Sequence, residues 1–218
     1  MSDLNRFIDH TLLRPEATAA EVALLLEEAA VHRFASVCLP PVYVAQAARR
    51  LAGTEVHAGT VVGFPLGYVQ PEIRLAESRR AVADGAQELD TVLNLSWLKS
   101  GEDGRVRDDL AAWVAALRAE REGLILKVIL ETALLTDEEK ARGTRLVAEA
   151  GADFVKTSTG FAKGGATVAD VALLFAAGAG RLAVKASGGI RDAATARALL
   201  AAGASRLGTS SGVALVAE

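Results

Sequence analysis

Short apolar runs of strand length alternate with longer Ala- and Leu-rich stretches from one end of the chain to the other. The short runs predict eight strands, over 7–11, 35–39, 56–63, 88–95, 124–131, 153–158, 181–186 and 205–209. The stretches between them predict helices over 18–32, 41–52, 71–84, 108–121, 137–150, 167–177 and 193–202. Regular strand–helix alternation implies parallel strands joined by right-handed crossovers. Eight such units favour a closed (β/α)8 TIM barrel, an α/β fold, over an open doubly wound sheet. No Gly-rich dinucleotide fingerprint follows an early strand, which weighs further against the open sheet. No linker, low-complexity segment or composition break interrupts the 218 residues, so 1–218 is expected to form one domain.

A weak internal repeat gives the strands a common origin. Four predicted helices end in Gly-Ala: Gly85-Ala86, Gly151-Ala152, Gly178-Ala179 and Gly203-Ala204. Glycine suits the left-handed residue just past a helix C-terminus. Asp90, Lys156 and Gly208 each lie five residues beyond their glycine, and Lys185 lies seven beyond Gly178. All the offsets are odd. Strand side chains alternate with period two, so these residues are expected to share one face. In a barrel that face is the interior, near the C-terminal mouth where such folds place their chemistry.

Composition narrows the function classes. About half the residues (51%) are hydrophobic, enough for a large core, and the net charge of -3 offers no basic footprint for nucleic acid. The first ten residues, MSDLNRFIDH, lack the apolar core of a signal peptide, and no apolar run reaches the length of a membrane span. A single cysteine, Cys38, excludes an intrachain disulfide and a Cys-rich metal site. The three histidines, His10, His32 and His57, show no ligand spacing, so no metal is expected. A soluble, cytoplasmic protein with no nucleic-acid or membrane partner is the expectation.

The cations are uneven. Of the 24 Lys and Arg residues only six are lysines, and three of these, Lys127, Lys156 and Lys185, fall in three successive predicted strands. A strand-end lysine ordinarily snorkels or pairs. Three together, in a chain whose default cation is arginine, point instead to amine chemistry, because lysine readily gives up its proton and arginine does not. Clustered, buried ammonium groups are expected to lower one another's pKa and leave a fraction of free amine, as a carbonyl-attacking nucleophile requires. Carboxylates to balance or shuttle protons are available in Asp90, Asp9 and Glu131. His10 and Cys38 read as packing or hydrogen-bonding residues.

Three Gly/Ser/Thr clusters follow the last three strands: TSTG at 157–160, SGGI at 187–190 and GTSSG at 208–212. Such loops serve as ordinary turns, but their backbone N–H groups also bind anions. Loops after the seventh and eighth strands of barrels frequently build a phosphate site. Two adjacent clusters in those places point to a phosphorylated substrate.

The segments DHTLL, SVCLPP, VGFPLG, ELDTVLNL, LKVILET, FVKTSTGF, GGATV, VKASGGIRD and LGTSSG run in order from residue 9 to residue 212. Together they resemble the deoxyribose-phosphate aldolase family over nearly the whole chain. The resemblance implies a barrel that reversibly cleaves 2-deoxy-D-ribose 5-phosphate to D-glyceraldehyde 3-phosphate and acetaldehyde, with no metal or other cofactor. By motif it implies Lys156 as the Schiff-base former and Lys185 as the second lysine, which tunes the first and assists proton transfer. Asp90 is implied as the acid/base, acting through a water. Lys127 and Asp9 match the surrounding polar network, Cys38 a residue near the substrate hydroxyls. Thr159, Gly160, Gly188, Gly189, Gly208, Ser210 and Ser211 match the phosphate cradle. A homo-oligomer, dimer or tetramer, is expected.

The chain departs from the family pattern in two places. It has no tyrosine after Tyr68, whereas some members use a tail tyrosine to protonate the enamine. Phe161 stands where some members carry a phosphate-gripping lysine, and Lys163 lies two residues further on. The alternatives are another Schiff-base barrel, transaldolase-like or a keto-acid aldolase, and a non-catalytic phosphosugar-binding barrel.

Overall fold

The structure is a computed structural model that describes residues 3–217. After a 3-10 turn at Asp3–Phe7, eight strands follow: β1 (Ile8–Thr11), β2 (Ser36–Leu39), β3 (His57–Val62), β4 (Glu88–Val92), β5 (Ile125–Ile129), β6 (Phe154–Lys156), β7 (Ala183–Ser187) and β8 (Ala204–Thr209). They pair in parallel in sequence order, and β8 closes onto β1. The α-helices are α1 (Ala19–His32), α2 (Val44–Arg50), α3 (Pro71–Ala83), α4 (Leu95–Lys99), α5 (Asp103–Glu120), α6 (Asp137–Glu149), α7 (Val168–Gly178), α8 (Ala193–Ala201) and α9 (Gly212–Ala217). The expected (β/α)8 TIM barrel is the observed fold.

Local chemistry starts and stops the helices. Thr18 and Thr136 each form a capping box with the glutamate three residues on, Glu21 and Glu139. Thr167 and Asp192 cap α7 and α8 by accepting from Asp170 N–H and Thr195 N–H. Gly85, Gly151 and Gly203 are left-handed just past α3, α6 and α8, as the Gly-Ala repeat implies. Gly178 differs. It is the last residue of α7, and the left-handed turn falls on Ala179 and Gly180. Lys185 therefore lies five residues beyond the left-handed glycine, as Asp90, Lys156 and Gly208 do.

Three elements differ from those predicted. The strand predicted over 88–95 stops at Val92, because the Asn94 side chain accepts from Trp97 N–H and starts α4. Helix α5 begins at Asp103, before the predicted 108. The six-residue apolar α9 is too short to show a helical period.

Strand alternation divides the molecule into two interiors. Ile8, Val37, Leu39, Leu89, Leu126, Val128, Val155, Val184 and Leu207 are fully buried and pack in one hydrophobic cluster with helix residues such as Leu26, Leu117, Val147 and Leu174. The other strand face points into the barrel. There Asp9, Glu88, Asp90, Lys127, Lys156 and Lys185 replace the branched aliphatic residues that usually fill such a barrel.

Candidate active site

The register explains why these charges meet. Asp90 pairs with Lys127 across β4 and β5, Ile129 with Lys156, Lys156 with Lys185, and Lys185 with Arg206. On β8, Ala204 and Arg206 face the consecutive residues Val184 and Lys185, so one extra residue, Ser205, is accommodated there.

Asp90 is the hub. Its Oδ1 accepts from Lys127 Nζ at 2.8 Å. Its Oδ2 accepts from both Lys156 Nζ at 2.9 Å and Lys185 Nζ at 2.8 Å. Sharing one oxygen keeps those two amines within about 6 Å of each other, inside the range over which charges shift one another's pKa. Lys185 also lies 2.5 Å from Asp9 Oδ2, and Lys127 lies 2.5 Å from Glu88 Oε2. Beneath them Arg206 bridges Asp9 and Glu88, the latter at 2.9 Å, and His57 Nδ1 sits 2.9 Å from Glu88 Oε1.

Charge balance decides the protonation states. Burial alone would raise the Asp90 pKa, but Lys127, Lys156 and Lys185 together hold it well below the usual carboxylate range. Asp9 is lowered against burial by Lys185 and Arg206, and Glu88 by Lys127, His57 and Arg206. Burial opposes the charge on Lys185 and Lys127, yet Asp9 with Asp90, and Asp90 with Glu88, raise their pKa values. The expectation that crowding would yield free amine is thus corrected for these two lysines: carboxylates lie against each of them, and both are held as ammonium. Burial, then the Asp90 charge, pushes the Cys38 thiol up, so it stays neutral.

Above this layer opens a cavity of about 410 Å³. Among Lys127, Lys156 and Lys185, Lys156 is the one that lines it. The rest of the wall comes from Thr11 at the end of β1, from the β1–α1 loop, including Arg14, and from the ends of β7 and β8 with the loops after β6, β7 and β8. Thr159, Gly160, Gly188, Gly189, Gly208 and Ser210 all contribute to the wall. Within the described residues the N–H groups of Gly160, Gly188, Gly189 and Ser210 make no hydrogen bond, which leaves them available to an anion. Gly188 is left-handed, and a Cβ on Gly165 would stand 2.4 Å from the Gly188 oxygen, so only glycines allow these two loops to pack.

Some predicted residues are placed otherwise. Asp9, Cys38 and Lys127 lie below the cavity, in the ion network, and not on its wall. Ser211 is off the wall too, and its N–H donates to Thr209 Oγ1 at 2.9 Å. The Thr159 hydroxyl is already engaged, donating to the Glu131 carboxylate and accepting from Phe161 N–H at 3.0 Å. Glu131 itself is buried and left-handed, a strained conformation for a residue with a Cβ. Lys163 is exposed and does not line the cavity. His10 faces out of the barrel against Glu28, at 2.7 Å, and Phe34. Among the described residues no group of three His, Cys, Asp or Glu side chains is arranged to hold a metal.

Sequence reasoning missed Arg206, Glu88, Arg14 and Arg191. The first two were detectable: each lies three residues beyond its left-handed glycine, another odd offset. Arg14 and Arg191 belong to loops, where no periodicity reports direction.

The family description "DeoC/LacD family aldolase" matches residues 5–216. The deoxyribose-phosphate aldolase of Brevibacillus brevis is 51% identical over 214 residues, covering 98% of this chain and 95% of that protein. That of Enterococcus faecalis is 50% identical, covering 98% and 96%. Among solved structures, the tetrameric deoxyribose phosphate aldolase of Aeropyrum pernix superposes with a TM-score of 0.91 at 36% identity, covering 99% of this chain and 90% of that one.

Proposed function

We propose a reaction for a chain that belongs to the DeoC/LacD family of aldolases: reversible cleavage of 2-deoxy-D-ribose 5-phosphate to D-glyceraldehyde 3-phosphate and acetaldehyde through a lysine Schiff base. What carries the assignment of the nucleophile is one observation. Lys156 lines the cavity while Lys127 and Lys185 lie beneath it, and its amine rests on the Asp90 oxygen that also holds Lys185.

The open-chain sugar presents its aldehyde carbon to Lys156 Nζ. Attack gives a carbinolamine, and loss of water gives an iminium. Removal of the proton from the C3 hydroxyl then breaks the C2–C3 bond. The electron pair enters the iminium, glyceraldehyde 3-phosphate leaves, and the enamine of acetaldehyde stays on Lys156. Protonation at C2 and hydrolysis release acetaldehyde and restore the amine.

Asp90, held as a carboxylate by three ammonium groups, is suited to relaying a proton through a water rather than storing one. Lys185, whose raised pKa keeps it an ammonium, is the reservoir beside it. That pair supplies the enamine proton. At the other end of the substrate the phosphate is cradled by Gly160, Gly188, Gly189 and Ser210, with the cations Arg14 and Arg191 on the same cavity wall.

Borohydride reduction in the presence of 2-deoxyribose 5-phosphate tests the reading. An adduct mapped to Lys156, absent from Lys156→Ala, is expected, with acetaldehyde as the released product. An adduct on Lys127, or transfer of a dihydroxyacetone unit instead of acetaldehyde release, would overturn it. No described helix is long and apolar enough to cross a membrane, and a cytoplasmic location is part of the proposal. So is a homo-oligomer, supported by the tetramer of the Aeropyrum pernix relative and by exposed Leu66, Tyr68 and Ile73. Light scattering on the purified protein tests the assembly.

A further inference from the structure

The barrel floor holds an ion cluster that the reaction as described leaves unused. Arg206 on β8 reaches both Asp9 and Glu88, and through them it touches the partners of two buried lysines. Asp9 carries Lys185, and Glu88 carries Lys127. Both lysines also donate to Asp90, the carboxylate on which Lys156 rests. The path from Arg206 to Lys156 is therefore an unbroken chain of alternating charges.

The ionisable groups facing into the barrel come from every strand: Asp9 (β1), Cys38 (β2), His57 (β3), Glu88 and Asp90 (β4), Lys127 (β5), Lys156 (β6), Lys185 (β7) and Arg206 (β8). Arg14, Arg191 and Glu131 complete the set at the mouth. With Lys156 protonated, the core holds four cations, Lys127, Lys156, Lys185 and Arg206, against the three carboxylates Asp9, Glu88 and Asp90. Charges enclosed this far from water are weakly screened, so one uncompensated cation is felt across the cluster. Arg206 cannot give up its proton, and Lys127 and Lys185 are each pressed between two carboxylates. Lys156 has a single carboxylate partner and borders the cavity, so its amine is the one at which the charge beneath reaches the reaction space.

We propose that Arg206 and Glu88 are positioning residues that set the net charge beneath the lysine cluster, and with it the position of the acid limb of the enzyme's pH profile. The inference rests on the aldolase reading. Neither residue touches substrate. Arg206 supplies the excess positive charge, and Glu88 offsets part of it. Removing Arg206 takes away the excess positive charge, so the acid limb moves to higher pH. Removing the Glu88 charge increases the excess, so the limb moves to lower pH. A merely structural ion pair would not displace the profile in opposite directions.

The test is the pH dependence of kcat/KM for cleavage of 2-deoxyribose 5-phosphate by the full-length wild type, Arg206→Met, Arg206→Lys and Glu88→Gln. Arg206→Met is expected to move the acid limb up by about one pH unit, the effect of one poorly screened charge. Arg206→Lys is expected to restore it, and Glu88→Gln to move it down. An equal loss at every pH with the limb in place, or a limb displaced in the same direction by both charge removals, would overturn the proposal. Should Arg206→Met fail to fold, Glu88→Gln decides alone: a lower limb supports the proposal, and an unmoved or higher one refutes it. Borohydride trapping of the wild type keeps the two readings apart. No adduct refutes the aldolase reading, whereas an adduct with an unmoved limb refutes only this one.

Discussion

Lys156 and Lys185 donate to the same oxygen, Asp90 Oδ2, at 2.9 and 2.8 Å. They sit opposite each other on neighbouring strands, and they differ in what else surrounds them. Lys185 has a second carboxylate, Asp9, and is closed off from solvent, whereas Lys156 has Asp90 alone and a cavity above. In the proposed reaction Lys185 stays charged and Lys156 reacts.

That difference predicts unequal variants. Lys156→Arg should abolish Schiff-base trapping, since a guanidinium is not a nucleophile. Lys185→Met should still be trapped, because the nucleophile remains, but kcat should fall by about 10²- to 10⁴-fold with the loss of the proton donor. Quantifying the trapped adduct beside steady-state kcat checks both. An untrappable but folded Lys185→Met would put the nucleophile on the wrong lysine.

Asp90→Asn removes the charge on which three lysines converge. Stripping one partner from a buried ion cluster typically costs about 3–5 kcal/mol. The variant should therefore unfold at markedly lower denaturant as well as lose activity. If its stability matches the wild type, the three lysines do not depend on Asp90 as the geometry says.

Gly208 was expected in the phosphate cradle, and it does line the cavity, but its second contact is with the lysine. A Cβ there would lie 2.9 Å from Ser187 Cβ and 3.1 Å from Lys185 Cε. Gly208→Ala should displace the Lys185 side chain and lower kcat about tenfold or more, with a smaller change in KM. A rise in KM at unchanged kcat would assign Gly208 to phosphate alone.

The carboxylates and lysines of the core also define a pH window of stability. Asp9, Glu88 and Asp90 have folded pKa values below their unfolded ones. Their contribution is present above the unfolded carboxylate pKa of about 4 and is lost as pH falls through the lower folded values. Lys127 and Lys185 have raised values, so theirs is complete below the unfolded lysine pKa of about 10.4 and lost as pH rises through the folded values. The melting temperature should be level between about pH 5 and about pH 9 and fall below about pH 4. A steady decline from neutrality to pH 5 would contradict the pairing.

The strands were legible as short apolar runs, and the shared face of Asp90, Lys156 and Lys185 because strand side chains alternate with period two from a glycine that marks where each count begins. Lys185 was reached by the wrong glycine, since Gly178 still belongs to α7 and Gly180 makes the turn. Arg206 and Glu88 obey the same parity, but arginine is the common cation of this chain and carries no compositional signal as the rarer lysine does. Asn94 hid the end of β4, since a short apolar run reads alike as strand or helix. Arg14 and Arg191 line a cavity that exists only once distant loops are brought together.

Gly160 offers a direct test of where the phosphate binds. It lines the cavity in the left-handed region, and a Cβ there would meet nothing within 4 Å. Asp is among the residues that best tolerate this conformation, so Gly160→Asp should fold and place a carboxylate beside the glycine loops. That charge repels a phosphate and is indifferent to a hydroxyl. KM for 2-deoxyribose 5-phosphate should rise about tenfold or more, equivalent to about 1.4 kcal/mol or more, while KM for unphosphorylated 2-deoxyribose stays within about twofold. Equal rises for both sugars would mean backbone distortion, and no change for either would put the phosphate elsewhere on the barrel mouth. The selective rise is what the proposed cradle demands, in which the loops after β6, β7 and β8 receive the phosphate and not the carbon chain.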